Sequence, residues 1–244
     1  MPSDEAEIAV AWLLELFPAG FEERDIGTAS ELAVFTNEAG EAALRAAYVD
    51  VTSQPVEPGW EDRWKEFHQP VWAGGLWIGP PWIDPPTAEP VVVVDPGRAF
   101  GTGAHPTTRA CIELLATLER GSLLDAGCGS GVVAVAAARL GFAPVLAVDL
   151  DDVSVEVAAE TARVNDVTID LRRADVLHDE LPGADVVVAN IELAVVERLL
   201  QRVGAEVAVT SGYLASDMPH APGWDNLERL VLEGWAADVL AKRH

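Results

Sequence analysis

Residues 123–131 read LLDAGCGSG, and this stretch decides the fold. An apolar strand ends in Asp125, and a turn with Gly127, Gly129 and Gly131 opens the next helix. Glycines at such a turn let the backbone approach a ligand closely where a side chain would collide. The pattern therefore predicts a strand and a helix of an α/β protein, with a flat, polar ligand lying over the turn between them.

The chain on both sides of this turn alternates between strand and helix patterns, and a final pair of extended segments flanks Gly234. The pattern predicts helices over residues 107–119, 131–140, 153–165 and 194–203, and strands over residues 91–95, 144–151, 168–172, 184–190 and 205–212. Such alternation is typical of a parallel sheet covered by helices on both faces. An antiparallel pair about Gly234 is expected to close the sheet.

The N-terminal segment differs in composition and predicts a separate small α+β domain over residues 1–54. Its expected elements are a helix over residues 8–16, strands over 21–26 and 32–36, a helix over 41–48 and an extended piece from residue 49. Residues 55–90 hold eight prolines and five of the eight tryptophans, and we interpret them as a connector before a domain over residues 91–244. The aromatic stripe Trp60, Trp64 and Phe67 favours packing between domains over substrate binding.

Charge and cysteine content exclude several classes of partner and binding site. Sixteen Lys and Arg against 40 Asp and Glu give a net charge of −24, which repels phosphate backbones and anionic lipids. A basic protein partner and simple solubility are equally compatible with this charge. Two cysteines, Cys111 and Cys128, support neither a disulfide framework nor a metal cage. The opening MPSDEAEIAV has no basic region, and no apolar run approaches roughly 20 residues. We therefore expect a cytoplasmic protein that binds no membrane, no nucleic acid and no metal.

The glycine spacing indicates which ligand lies over the turn. A dinucleotide fingerprint requires G-x-G-x-x-G, but Val132 stands where its third glycine would be. The turn is instead similar to the D-x-G-x-G-x-G turn of S-adenosylmethionine-dependent methyltransferases. Asp149 follows Gly127 by 22 residues at the end of the next strand, where its carboxylate suits both hydroxyls of a ribose. The alternative for Asp149 is a helix cap, a role that Asp151 or Asp152 can also fill. Asn190 ends a third strand at the same edge.

Residues 95–108 read DPGRAFGTGAHPTT and closely resemble the characteristic loop of the PrmA family, the methyltransferases of ribosomal protein L11. The motifs LLDAGCGSG, VDLD and VVVAN follow in that family's order, and the segment from Trp60 to Trp82 resembles its connector. The resemblance implies a Rossmann-like, doubly wound seven-stranded sheet and S-adenosyl-L-methionine as cofactor. The cofactor-binding residues it implies, together with the turn residues above, are Phe100, Gly101, Thr107, Thr108, Asp125, Gly127, Gly129, Asp149 and Asn190. Thr107 and Thr108 are equally candidates for a helix N-cap. For His105 we expect a structural hydrogen bond and not the role of a general base.

The implied activity is methylation of lysine and α-amino groups of ribosomal protein L11. We expect the enzyme to be a monomer. Asn190 is the implied catalytic residue, because the family places an asparagine there to hold the amine. Residues 190–193 read NIEL, whereas many amino-methylating relatives have NPPY, so no aromatic clamp on the amine is visible here. Glu192 either attracts a cation or faces solvent. Two alternatives stay open: a related methyltransferase with another protein or small-molecule substrate, and a cofactor-binding protein or nucleotide-dependent oxidoreductase.

Overall fold

The computed structural model describes residues 22–25, 30–34, 36, 38–48, 51–53, 68–87, 90–96 and 103–243. The chain divides into two compact units, Met1–Trp60 and Glu61–His244. All the described strands and helices after Trp60 belong to the second unit, and every predicted site residue falls within its sequence range.

The helices and strands of both units are as follows. They are β1 Glu22–Asp25, β2 Ser30–Ala33, α1 Glu38–Ala47, β3 Val71–Ala73, β4 Leu76–Gly79, β5 Val91–Val93, α2 Pro106–Thr117, β6 Leu123–Ala126, α3 Val132–Leu140, β7 Val145–Asp149, α4 Asp152–Val164, β8 Asp170–Arg173, β9 Ala184–Asn190, α5 Leu193–Leu200, β10 Ala205–Leu214, β11 Trp224–Leu232 and β12 Trp235–Lys242.

A seven-stranded sheet in the order β11-β12-β10-β9-β6-β7-β8 forms the centre of the second unit. The five strands from β10 to β8 are parallel, whereas β12 is antiparallel to both of its neighbours. The chain begins this sheet in the middle, at β6, fills one side through β7 and β8, and then crosses back to β9. The carboxyl ends of β6 and β9 lie side by side where the strand order reverses, which is where open α/β sheets bind ligands. The predicted Rossmann-like, doubly wound sheet is confirmed.

Alternate residues of the central strands face two different apolar layers. In β9, Val186 and Val188 pack in the layer that contains α2, α3 and α4, whereas Val187 and Ala189 pack in the layer of α5. Strands that are buried on both faces read as continuous apolar runs. This double burial explains why the sequence ADVVVAN marks β9 so clearly.

A second sheet of three strands corrects one prediction. The sequence pattern places residues 91–95, VVVVD, in the main sheet, but β5 pairs with β4 in the order β3-β4-β5. A run of valines satisfies any buried strand, so its composition does not identify its partner. The other edge of β5 is covered by the side chain of Asn165, whose Nδ2 donates to Val93 O at 2.6 Å and whose Oδ1 accepts from Val93 N at 2.7 Å.

The predicted ends of several elements shift by a few residues. The helix predicted over residues 107–119 is Pro106–Thr117, that over 194–203 is Leu193–Leu200, and the strand over 168–172 is Asp170–Arg173. Strand β10 continues beyond Gly212 to Leu214 because an irregularity between Ser211 and Tyr213 keeps it paired with β12. The expected antiparallel pair about Gly234 is confirmed as β11 and β12.

The described part of the N-terminal unit contains an antiparallel pair, β1 and β2, followed by α1. The second strand lies at Ser30–Ala33, two residues before its predicted start, and the helix begins earlier than predicted, at Glu38. The helix predicted over residues 8–16, the start of the extended piece at residue 49 and the stripe of Trp60, Trp64 and Phe67 lie outside the described residues. Within the described ranges, no helix is both long and apolar enough to cross a bilayer.

Candidate functional site

The turn after β6 is shaped by glycines in left-handed conformations. Gly127, Gly129 and Gly131 have φ values of 84°, 51° and 77°, which L-residues with side chains rarely adopt. A Cβ atom on Gly127 would lie 2.5 Å from Ile191 Cγ2, and one on Gly131 would lie 2.8 Å from Ala158 Cβ. The turn is therefore tight against its neighbours and presents backbone to the carboxyl edge of the sheet.

Asp149 connects this turn to the next strand. Its Oδ2 accepts a hydrogen bond from Gly129 N at 2.9 Å, and its Oδ1 accepts one from Asp151 N at 3.0 Å. The following helix, α4, is capped by Asp151, whose side chain accepts from Val153 N at 3.2 Å. Of the two alternatives, capping thus belongs to Asp151. Asp149 keeps acceptor capacity at the edge, because a carboxylate has about four lone-pair sites.

Asp125 is the most deeply buried carboxylate beside the turn. Its side chain is 2% exposed, and within the described structure its Oδ2 has no hydrogen-bond partner. Burial raises the pKa of the Asp125 carboxyl to about 7, the hydrogen bond from Ala134 N lowers it, and the charge of Asp149 raises it further. A buried, unsatisfied acceptor is costly on its own and is stabilised by a cationic ligand.

The start of α2 and the end of β9 meet at a second pair of predicted residues. Asn190 Nδ2 donates a hydrogen bond to Thr108 Oγ1 at 3.3 Å, and both Thr108 and Thr107 are buried. Helix α2 is capped by His105, whose Nδ1 lies 2.7 Å from Thr107 Oγ1 and also accepts from Thr107 N. Neither threonine is the N-cap, contrary to that alternative. Pro106 at the first helical position was the available signal for His105, because proline is favoured directly after a cap.

The structure therefore places six of the nine predicted cofactor residues at one edge of the sheet, in two groups. The first group is Gly127 and Gly129 of the glycine turn with Asp125 and Asp149 beside it, and the second is the pair Thr108 and Asn190. Thr107 lies beside them in α2, where it contacts His105. Phe100 and Gly101 lie outside the described residues. Sequence reasoning missed Ser211 and Gly212, which approach the backbone of Ile191 from β10.

The described residues contain no group of three or more His, Cys, Asp or Glu side chains that could hold a metal ion. The acceptor groups at this edge are instead two carboxylates, a hydroxyl and an amide beside an open backbone turn. That set suits an organic ligand that carries positive charge and paired hydroxyl groups.

Comparison with known proteins agrees with this geometry. The family model for ribosomal protein L11 methyltransferase, PrmA, matches residues 21–217. The chain belongs to the PrmA family. Among its relatives, the ribosomal protein L11 methyltransferase of Caldicellulosiruptor bescii is 38% identical over 168 residues, or 65% of this chain and 55% of that protein. That of Exiguobacterium sp. is 36% identical over 213 residues, or 80% of this chain and 68% of that protein.

A solved PrmA-family structure shares the fold. The crystal structure of the ribosomal protein L11 methylase from Lactobacillus delbrueckii subsp. bulgaricus has a TM-score of 0.64 and 27% identity, and the match covers 70% of this chain and 96% of that chain. This chain spans 55–60% of the length of the first three curated relatives that it matches.

The site residues fit the methyl donor that this class of methyltransferase uses. S-adenosylmethionine carries a sulfonium, an ammonium group and a ribose with two hydroxyls. The Oδ2 of Asp125, which has no hydrogen-bond partner among the described residues, fits a cationic group, and the remaining acceptor capacity of Asp149 fits a ribose. The left-handed conformation of Gly127 and its close approach to Ile191 hold the turn in the shape that presents its backbone at this edge.

Proposed function

We propose that this chain is an S-adenosylmethionine-dependent protein N-methyltransferase that methylates lysine and α-amino groups of ribosomal protein L11. The observation that carries the proposal is the hydrogen bond from Gly129 N to Asp149 Oδ2, which joins the glycine turn of β6 to the acid that ends β7. The contact between Thr108 and Asn190 adds a second group beside it. The names of the PrmA relatives supply the substrate.

Each site residue has a separate part in this proposal. Asp149 accepts the ribose hydroxyls, Asp125 faces the cationic part of the cofactor, and Thr108 with Asn190 borders the methyl group. The full proposed cofactor-binding set is Phe100, Gly101, Thr107, Thr108, Asp125, Gly127, Gly129, Asp149 and Asn190. Asn190 is also the proposed catalytic residue.

The chemistry needs alignment and dehydration more than it needs an enzyme nucleophile. When bound, S-adenosylmethionine supplies a methyl group that is activated by its sulfonium. The side-chain carbonyl of Asn190 orients the lone pair of the incoming amine in line with that group, which lowers the entropic part of the barrier. The amine must be neutral to react, and removal from water lowers the pKa of a lysine. Asn190 Nδ2 is already engaged with Thr108, so the amide is held with its carbonyl available to the substrate.

The proposal extends to the organisation of the chain. Residues 1–54 form a substrate-recognition domain, residues 55–90 a connector and residues 91–244 the methyltransferase domain. The first 60 residues carry 12 acidic and two basic residues, a charge that suits a basic protein target. We further propose a cytoplasmic monomer that contacts neither nucleic acid nor membrane directly.

The test is methyl transfer from labelled S-adenosylmethionine to purified large-subunit ribosomal proteins, resolved by mass. We expect label on ribosomal protein L11, and a loss of roughly a hundredfold or more with Asn190→Ala, because misaligned reactants lose the advantage of proximity. The matched control is Asn226→Ala, which removes an exposed amide of β11 that donates to Asp238 Oδ1. It should retain methylation.

Two other results would contradict the proposal at different levels. Cofactor binding without a labelled ribosomal protein would exclude this substrate and favour a related methyltransferase with another one. Failure of the folded protein to bind the cofactor would exclude the activity itself.

A further inference from the structure

The turn that joins β11 to β12 lies at the same edge of the sheet as the candidate site. Asn190, Ser211 and Ala237 are register partners across β9, β10 and β12. Because β12 runs antiparallel to β9 and β10, its first residue, Trp235, extends past the carboxyl end of β9. No motif in the sequence signals this placement, which depends on the sheet order.

Two side chains of this turn contact the first turns of α2. The ring of Trp235 meets the ring of His105 edge to face, with centroids 5.0 Å apart and an interplanar angle of 68°. His105 is the N-cap that also contacts Thr107. Glu233 forms an ion pair with Arg109, one helical turn further along. The turn therefore fixes both the cap and the first turn of the helix that carries Thr108.

The backbone of the turn gives an independent reason to assign Glu233 a role. Leu232 pairs with Trp235, so Glu233 and Gly234 are the two central residues of a tight hairpin. Their φ values are 51° and 84°, and such turns favour Asn, Asp or Gly at both positions. A glutamate is unfavourable at φ 51°, and turn chemistry does not account for it. Its ion pair with Arg109 does.

A second set of contacts runs from the start of β12 to the residue after Asn190. Ser211 is fully buried, and its Oγ donates to Ala236 O at 2.7 Å. The carbonyl oxygen of Ser211 accepts a hydrogen bond from Ile191 N at 3.2 Å. The first residues of β12 are thereby connected to both members of the Thr108–Asn190 pair, through α2 on one side and through β10 on the other.

We propose that Trp235 and Glu233 are positioning residues that keep Thr108 and Asn190 aligned for cofactor binding. The proposal rests on the proposed function, because it assigns the aligned pair to the cofactor site. Trp235 acts through His105 and Glu233 acts through Arg109. The hydrogen bond between Thr108 and Asn190 is 3.3 Å long, so a small rotation of α2 is enough to break it.

The test is calorimetric binding of S-adenosylhomocysteine, well below the unfolding temperature of every variant. We expect Trp235→Leu to weaken binding roughly tenfold, because it removes coupling between contacting residues. Trp235→Phe keeps an aromatic edge for His105 and should restore affinity close to that of the unmodified chain. Glu233→Gln should weaken binding by roughly threefold. The matched control is Trp224→Phe, since Trp224 pairs with Lys242 at the opposite end of the same hairpin.

The outcomes separate this inference from the proposed function. If the unmodified chain fails to bind S-adenosylhomocysteine, the proposed function fails. If it binds and Trp235→Leu binds equally well, the positioning role is excluded. Equal weakening by Trp235→Leu and Trp235→Phe, or by Trp224→Phe, would also exclude it, because the effect would then reflect general destabilisation.

Discussion

At the residue scale, the candidate site contains a carboxylate whose burial is unfavourable for folding and for which we propose a role in cofactor binding. Asp125 is buried at the end of β6, and its Oδ2 is without a partner among the described residues. Its backbone hydrogen bond from Ala134 and the nearby charge of Asp149 act in opposite directions on its ionisation. An acceptor kept in this environment is expected at a site where a cation completes it.

This conflict predicts that Asp125→Asn stabilises the ligand-free protein at alkaline pH and weakens cofactor binding. Burial raises the pKa of Asp125 to about 7, whereas an unfolded aspartate has a pKa of roughly 3.9. Between these values the folded state retains a proton that the unfolded state has lost, so this group's contribution to stability falls as pH rises. At pH 8 we expect the variant to gain about 2–4 kcal/mol in the free energy of unfolding. At pH 4 the two proteins should be nearly equal.

Urea unfolding at both pH values measures this difference, and Asp185→Asn is the matched control. Hydrogen bonds from the Ser122 side chain and backbone lower the pKa of Asp185, so its ionised form stabilises the folded state. The control should therefore lose stability at pH 8, the opposite sign. A decrease at pH 8 for Asp125→Asn as well would contradict the raised pKa.

At the element scale, the side chain of Asn165 joins the free edge of the three-stranded sheet to the body of the fold by hydrogen bonds, in addition to the apolar packing of that sheet. Asn165 satisfies both backbone groups of Val93 and also donates to Thr161 O at 2.8 Å. Asn165→Ala would leave the partly buried N–H and C=O of Val93 without these partners, whereas Thr161 O keeps its hydrogen bond from the backbone N–H of residue 165. We expect a loss of about 2–4 kcal/mol in the free energy of unfolding, by urea titration.

Amide hydrogen exchange gives this prediction an internal control. The amide of Val93 should exchange faster in Asn165→Ala because its acceptor is gone. The amide of Val94 donates to Gly79 O at 3.0 Å and should stay protected under conditions of local opening. Unchanged exchange at Val93 would show that Asn165 does not hold the edge of β5.

Strand β5 shows which features of the fold can be predicted from the sequence and which cannot. Strands β6, β7 and β9 are recognisable because each is an apolar run with one polar residue at or near its end. These residues are Asp125, which comes just before the Gly-rich turn, Asp149 and Asn190. The four valines of β5 are equally visible as a strand, but their partner is not, since pairing depends on β4 and on an asparagine 72 residues away. Local composition specifies burial, whereas strand order is a property of the whole fold.

The candidate site divides in the same way. Gly127, Gly129 and Asp149 were predictable because the glycines follow β6 and Asp149 ends β7, and strand ends of a parallel sheet meet at one edge. Ser211 and Trp235 could not be predicted, because they depend on strand order. Ser211 pairs with Asn190 because β10 lies beside β9, and Trp235 meets His105 because β12 runs antiparallel at the same edge. The N-cap of α2, His105, could have been predicted because Pro106 directly follows it.

At the scale of the whole molecule, the net charge is expected to guide the approach of the proposed protein substrate. The chain carries a net charge of −24, and ribosomal protein L11 is expected to approach it as a basic partner. Electrostatic attraction of this kind acts mainly on the association rate and is screened by salt, with a Debye length of about 10 Å at 0.1 M. The dissociation rate depends on short-range contacts and is much less sensitive.

We therefore expect the association rate constant for ribosomal protein L11, measured by stopped flow, to fall roughly tenfold between 20 and 300 mM NaCl. The dissociation rate constant should change less than about twofold over the same range. S-adenosylhomocysteine serves as the control because it has no net charge at neutral pH, so its affinity should be almost independent of salt. An association rate constant that is flat with salt would mean that the acidic surface does not guide the substrate. The negative charge would then be explained by solubility alone, which the composition allows equally well.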